Sequence, residues 1–135
     1  MKHLNYLLLG IASLIFISSC EKDEGKLPNI SLKTGASYIY KDTTLVAGTT
    51  FKIGIVASKS EDKDVLKQFN ISRSSNGAAA VSVFSKSMSG TEEDSFAYDY
   101  TTSTDSIAGN NSKYTFTITN RDGLTNSVSV TVTAQ

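Results

Sequence analysis

Tyr114, Phe116 and Ile118 alternate with Thr115, Thr117 and Thr119, and shortly afterwards Val128, Val130 and Val132 alternate with serines and threonines. Successive side chains of a β-strand point to opposite faces, so Lys113–Thr119 and Ser127–Thr133 each read as a strand with one apolar and one hydroxyl-bearing face. Between them stands Asn120-Arg121-Asp122-Gly123-Leu124, whose Asp-Gly pair suits a tight reversal. The two runs therefore form a β-hairpin. A hairpin that is dry on one side commits the rest of the chain to covering that side.

The preceding residues offer the cover. Thr49–Ser58 places Phe51, Ile53, Ile55 and Ala57 on one face and predicts a central core strand. Phe69–Arg73 alternates likewise, and Ser74-Ser75-Asn76-Gly77 has the chemistry of a tight turn. Ala79–Ser85 carries Val81 and Val83 on one face and Phe84 on the other, which predicts a strand near an edge or covered on both sides. Ser95–Thr101 sets Phe96, Tyr98 and Tyr100 against Ala97, Asp99 and Thr101. Shorter runs at Asn29–Lys33 and Ser37–Tyr40 predict two more strands. Lys41–Thr44 reads as a turn, Lys59–Lys67 as a charged connection with one helical turn, and Lys86–Asp94 and Thr102–Ser112 as loops. About seven short strands without a longer helical period predict an all-β antiparallel sandwich. There is no tryptophan and no cysteine pair, so the buried Trp and disulfide of antibody domains are missing.

The N-terminus reads differently. Lys2 and His3 precede an apolar run from Tyr6 to Ile17, then Ser18-Ser19 and Cys20, the charged, apolar and small-residue order of a secretory signal. About 12 apolar residues fall short of the ~20 that span a bilayer as a helix; a short membrane anchor, or a signal with an incidental cysteine, is the competing reading. His3 and Cys20 are the only histidine and cysteine. A chain that loses its leader and commits Cys20 elsewhere has no Ser-His-Asp triad, Cys-His pair or His-ligated zinc. The 13 basic and 13 acidic residues balance, which gives no footprint for nucleic acid or anionic lipid. No enzyme activity, metal or cofactor is expected.

Leu14-Ile15-Phe16-Ile17-Ser18-Ser19-Cys20 resembles the lipobox of bacterial lipoproteins. The resemblance implies a signal peptide over residues 1–19, cleavage before Cys20, and lipidation of that cysteine. Several acyl chains at ~0.8 kcal/mol per buried methylene make such an anchor effectively permanent. Glu21–Lys26 is charged and glycine-containing and reads as a flexible tether, so residues 20–27 are expected to link the lipid to a domain over 28–135. Within it, Lys22-Asp23-Glu24 resembles the acidic export signal of Bacteroidetes lipoproteins, which implies an outer-membrane protein facing the cell surface. Gly48–Ile55, Phe69–Arg73 and Tyr114–Gly123 look like the single-domain Ig-like lipoproteins of the same bacteria, and the closing hairpin is also similar to PKD-like and cadherin-like domains. That resemblance implies an Ig-like sandwich; its motifs carry fold and no chemistry. Asp42-Thr43-Thr44 and Asp105-Ser106-Ile107 resemble the Bacteroidetes O-glycosylation motif, implying modification at Thr43 or Ser106.

Two further groups are candidates for binding. Glu92, Glu93 and Asp94 with Asp62 and Asp64 could supply oxygens to calcium, but no EF-hand or RTX spacing is present and solvated loop charge is the expected role. Tyr38, Tyr40, Tyr98 and Tyr100 could stack on sugar rings, though alternate tyrosines more often fill a core. The expected function is that of a lipid-anchored, non-catalytic accessory that binds or supports an envelope or surface protein. The alternative is a glycan-binding surface lipoprotein of a nutrient-uptake system.

Overall fold

A computed structural model describes residues 25–135. Among them lie eight strands: β1 (Asn29–Leu32), β2 (Thr43–Leu45), β3 (Thr50–Ser58), β4 (Leu66–Ser75), β5 (Val81–Ser87), β6 (Ser95–Ser103), β7 (Asn111–Asn120) and β8 (Thr125–Ala134), with one 3₁₀ turn at Gly90–Glu93. They form a three-stranded sheet, β1-β3-β6, and a five-stranded sheet, β2-β8-β7-β4-β5. Every pairing is antiparallel except that of β2 with β8. The set β1-β3-β6 facing β5-β4-β7-β8 is an Ig-like antiparallel sandwich, with β2 as a short extra strand beside β8.

The period-two faces meet between the sheets. Phe51, Ile53, Ile55 and Ala57 of β3 and Phe96 of β6 pack against Phe69 and Ile71 of β4, Tyr114, Phe116 and Ile118 of β7, and Val130 and Val132 of β8. Phe69 is at the centre, its ring 5.1 Å from Phe96, 5.5 Å from Tyr98, 6.1 Å from Phe84 and 6.4 Å from Phe116 between centroids. The hydroxyl faces lie outward, with Thr115 and Thr117 of β7 opposite Ser129 and Ser127 of β8. At the β4–β5 reversal Asn76 and Gly77 both take positive φ, 50° and 74°, the conformation an Asn-Gly hairpin turn requires.

Several local expectations need correction. Thr43 and Thr44 belong to β2 rather than to a turn: three residues suffice to pair in parallel with Val132–Ala134. Ser37–Tyr40 is not a strand, although Ile39 N–H donates to the Lys52 carbonyl at 2.8 Å and so follows the edge of β3. Lys59–Val65 makes bends and turns without a helix. The expectation of a strand near an edge holds for β5, whose Phe84 packs against the core while Val81 and Val83 face solvent. The fastened chain also begins before Pro28. Lys26 N–H donates to Asp64 Oδ2 at 3.2 Å, and the carbonyls of Lys26 and Pro28 accept from Asn120 Nδ2 at 3.1 Å and Asn126 Nδ2 at 2.9 Å. The leader, Cys20 and Lys22-Asp23-Glu24 lie outside the described residues.

Candidate functional site

The four tyrosines do not form a platform. Tyr98 stacks on Phe84 at 4.7 Å and Tyr100 lies 5.9 Å from Tyr114 and 6.3 Å from Phe116, so both point into the sandwich. Tyr38 lies on the outer face of the three-stranded sheet, where its hydroxyl donates to Asp99 Oδ2 at 3.0 Å. Lys33 Nζ reaches Asp99 Oδ1 at 2.7 Å, and the ammonium groups of Lys33 and Lys52 stand 5.6 and 5.8 Å from the Tyr38 ring centre. The Lys33 ammonium beside it holds the Asp99 carboxyl below its ordinary pKa, and the bond to Asp99 raises that of Lys33. Gly54 lies beneath this group. A Cβ there would stand 2.7 Å from Lys33 Cδ and from Tyr38 Cε1, and 2.9 Å from Asp99 Oδ1. The cluster clamps the segment after β1 onto the sheet and leaves Tyr40 as the most exposed of the four rings' owners.

The acids weighed for calcium separate in the same way. Asp94 pairs with Lys59 at 2.7 Å, Glu92 with Lys86 at 3.2 Å, Glu93 with Lys67, and Asp62, fully exposed, with Lys59 at 3.6 Å. The bond to Asp94 raises the pKa of Lys59. These are surface ion pairs, each spent on a lysine, and no group of three metal-ligating side chains converges among the described residues.

Asp64 stands apart from them. It is 1% exposed, at the pole of the sandwich where the described chain begins. Its Oδ2 accepts the Lys26 N–H, the main reason its pKa is lowered, and the Asp122 carboxyl lies within hydrogen-bond reach. Among the described residues its Oδ1 has no hydrogen-bond partner. The loop that carries Asp122 is fixed by Asn120, 2% exposed, whose Oδ1 accepts from the Asp122 and Leu124 N–H groups at 3.1 and 2.9 Å. Asp122 was legible only as a turn residue, because it lies 58 positions after Asp64 in the chain.

The two glycosylation-like triplets occupy different settings. Ser106 is exposed in the β6–β7 loop, and Asp105 Oδ1 accepts the Ile107 N–H at 2.9 Å, which is the first cause of that carboxyl's lowered pKa. Thr43 is half-buried in β2, and Asp42 Oδ1 accepts the Thr131 N–H of β8 at 2.8 Å. A depression of about 360 Å³ between β1 and β3, lined by Ile30, Val56, Ala57 and Asn126 among others, contains no titratable side chain.

No family model matches the chain, and no curated protein does. Among solved structures, the sporulation control protein Spo0M from Bacillus subtilis is similar at a TM-score of 0.48 and 6% identity, over 82% of this chain. The chain spans about half, 51%, of that structure.

Proposed function

We propose that this chain is a lipid-anchored, non-catalytic Ig-like lipoprotein of the outer membrane, displayed at the cell surface as a binding or structural accessory to an envelope protein. The observation that supports this reading most is the fastening of Lys26 and Pro28 to Asp64, Asn120 and Asn126 at one pole. Only four residues separate Cys20 from Gly25. With Cys20 lipidated, that stretch reaches at most ~18 Å at ~3.6 Å per residue. The sandwich then stands directly on its anchor, and the β2–β3 and β6–β7 loops at the opposite pole project away from the membrane. Those loops carry Val46 and Ile107, 63% and 62% exposed, apolar side chains suited to a protein partner.

The glycan-binding alternative is weakened, because Tyr98 and Tyr100 are committed to the core and Tyr38 to Asp99. Protease treatment of intact cells tests display. The wild-type protein is expected to be shaved, and a variant with Lys22-Asp23-Glu24 replaced by alanines to be protected. Protection of both on intact cells, with loss of both on lysis, would place the domain in the periplasm and discard the surface reading.

A further inference from the structure

The two sheets end in four edge strands, and three of them are defended against a further strand. β1 has four residues and β2 three, while β5 carries Lys86 and slips register against β4 at Val83, since Ile71 pairs with Phe84 and Ser72 with Ser82. Shortness, an edge lysine and a bulge are the usual ways a sheet edge is closed. β6 has none of them. It runs nine residues in unbroken register with β3 and contains no proline. The Lys59 N–H donates to the Asp94 carbonyl and the Thr104 N–H to the Thr49 carbonyl, so the even-numbered residues between them turn their main-chain groups to β3. Those groups alternate along an antiparallel strand. The N–H and C=O groups of Ser95, Ala97, Asp99, Thr101 and Ser103 therefore point to the open side, where none has a partner among the described residues. The same flank is apolar. Phe84 of β5 stacks on Tyr98 of β6 at 4.7 Å, which sets the two edges side by side; both rings are half-buried, and Val81 and Val83 are 61% and 40% exposed. The one charge on β6, Asp99, is taken by Lys33, so neither charge nor bulk keeps a strand away.

We infer that β6 accepts an extended segment of a partner protein as a fourth strand of the three-stranded sheet, a segment whose alternate side chains are apolar toward Phe84 and Tyr98 and polar toward Ala97 and Thr101. Main-chain bonds supply the affinity of such an addition and the alternate side chains its specificity. This inference rests on the anchored reading, because the anchor decides against a second copy of this chain as the occupant. Two β6 edges meet about a two-fold axis only as antiparallel strands. β6 begins at the anchored pole: Ser95 pairs with Ser58, and Ser60 Oγ bonds the Leu27 carbonyl. An antiparallel pair would set the anchored pole of one copy beside the distal loops of the other. Both could not then stand on one membrane through the four residues between Cys20 and Gly25. A strand of another protein has no such restriction. β6 ends at Ser103, close to the loop that carries the exposed Ile107, so the added strand and the distal loops make one continuous surface.

The test is photo-crosslinking of the full chain on intact cells, with p-benzoylphenylalanine in place of Thr101 on the β6 edge or, as a control, of Thr117 inside the five-stranded sheet. An adduct with a second protein is expected from position 101 and not from position 117. Ala97→Pro removes a main-chain N–H on the open side and no bond to β3. It is expected to lower the position-101 adduct about tenfold or more, while the purified variant keeps a cooperative thermal transition. Ala97→Lys puts a charge on the edge without altering the backbone; it is expected to act likewise, and keeps the test open if the proline variant does not fold. An adduct undiminished in both variants would overturn the proposal. So would an equal adduct from position 117, or one joining two copies of this chain. Absence of any adduct from cells whose protein carries an acylated Cys20 would overturn it and leave the anchor standing. An unmodified Cys20 would instead remove the anchor, and with it the choice of a partner strand over a second copy.

Discussion

Asp99 and Asp64 are both carboxylates held below their ordinary pKa, yet they are completed in opposite ways. Asp99, on the outer face of the three-stranded sheet, has a partner on each oxygen: Lys33 on Oδ1 and Tyr38 on Oδ2. Asp64, at the pole, is nearly inaccessible and has a backbone N–H on one oxygen and nothing on the other among the described residues. Water could satisfy any deficit at the exposed site; at the buried one a missing partner carries the full cost of desolvation. The first arrangement is a complete clamp, and the second is a buried carboxylate with one oxygen unpartnered among the described residues.

The comparison can be broken most forcefully at Asn120. Its side chain donates to the Lys26 carbonyl and accepts from two N–H groups of the β7–β8 turn. Asn120→Ala leaves buried polar groups unpaired and is expected to cost about 3 kcal/mol, read as a lower urea midpoint at unchanged slope. A loss below about 0.5 kcal/mol would mean that the pole is not fastened by this residue. Next in size is Gly54→Ala. The new Cβ would displace Lys33, Tyr38 and Asp99 together, at an expected cost of about 1–3 kcal/mol in the same assay. Retention of wild-type stability would show that the clamp side chains move aside freely.

Acid unfolding separates the two carboxylates. Both have folded pKa values lowered from the unfolded value of about 3.9, so their contribution is complete above about pH 4 and is lost as pH falls through the folded values. The acid limb of unfolding, followed by circular dichroism, should therefore shift less in Asp99→Asn, whose carboxylate is partly exposed, than in Asp64→Asn, whose carboxylate is buried. The smallest effect is expected from Asp99→Asn at neutral pH. The Lys33 pair is partly exposed and salt-screened, so this variant should lose little stability, and less still at high salt.

The sandwich was legible because its core is made of long alternating runs. Phe51–Ala57, Phe96–Tyr100, Tyr114–Ile118 and Val128–Val132 each place apolar side chains at a period of two, and the two-sheet sandwich packs these faces together. Where the signal is short, the sequence misleads. Lys41–Thr44 has the composition of a turn, and only the alignment of Thr43–Leu45 with Val132–Ala134, almost ninety residues away, makes its end a strand. The mixed faces of Val81, Val83 and Phe84 indicated an edge strand but not which face is buried; Phe84, the larger side chain, takes the core side. The candidate site was the least legible part. Asp64 was visible as one acid among several in a charged loop, and its distinguishing features, burial and the approach of Asp122, arise only when the β3–β4 and β7–β8 connections meet at one pole. No local pattern encodes that meeting.

The proposed anchor is the premise on which the rest of the biological reading stands, and the mass of the mature N-terminus tests it most directly. Mass spectrometry of the protein extracted from membranes is expected to give an N-terminal peptide beginning at Cys20 and carrying acyl chains, with no residue of 1–19 retained. An N-terminus elsewhere, or an unmodified Cys20 thiol, would contradict the account and release the domain from the membrane.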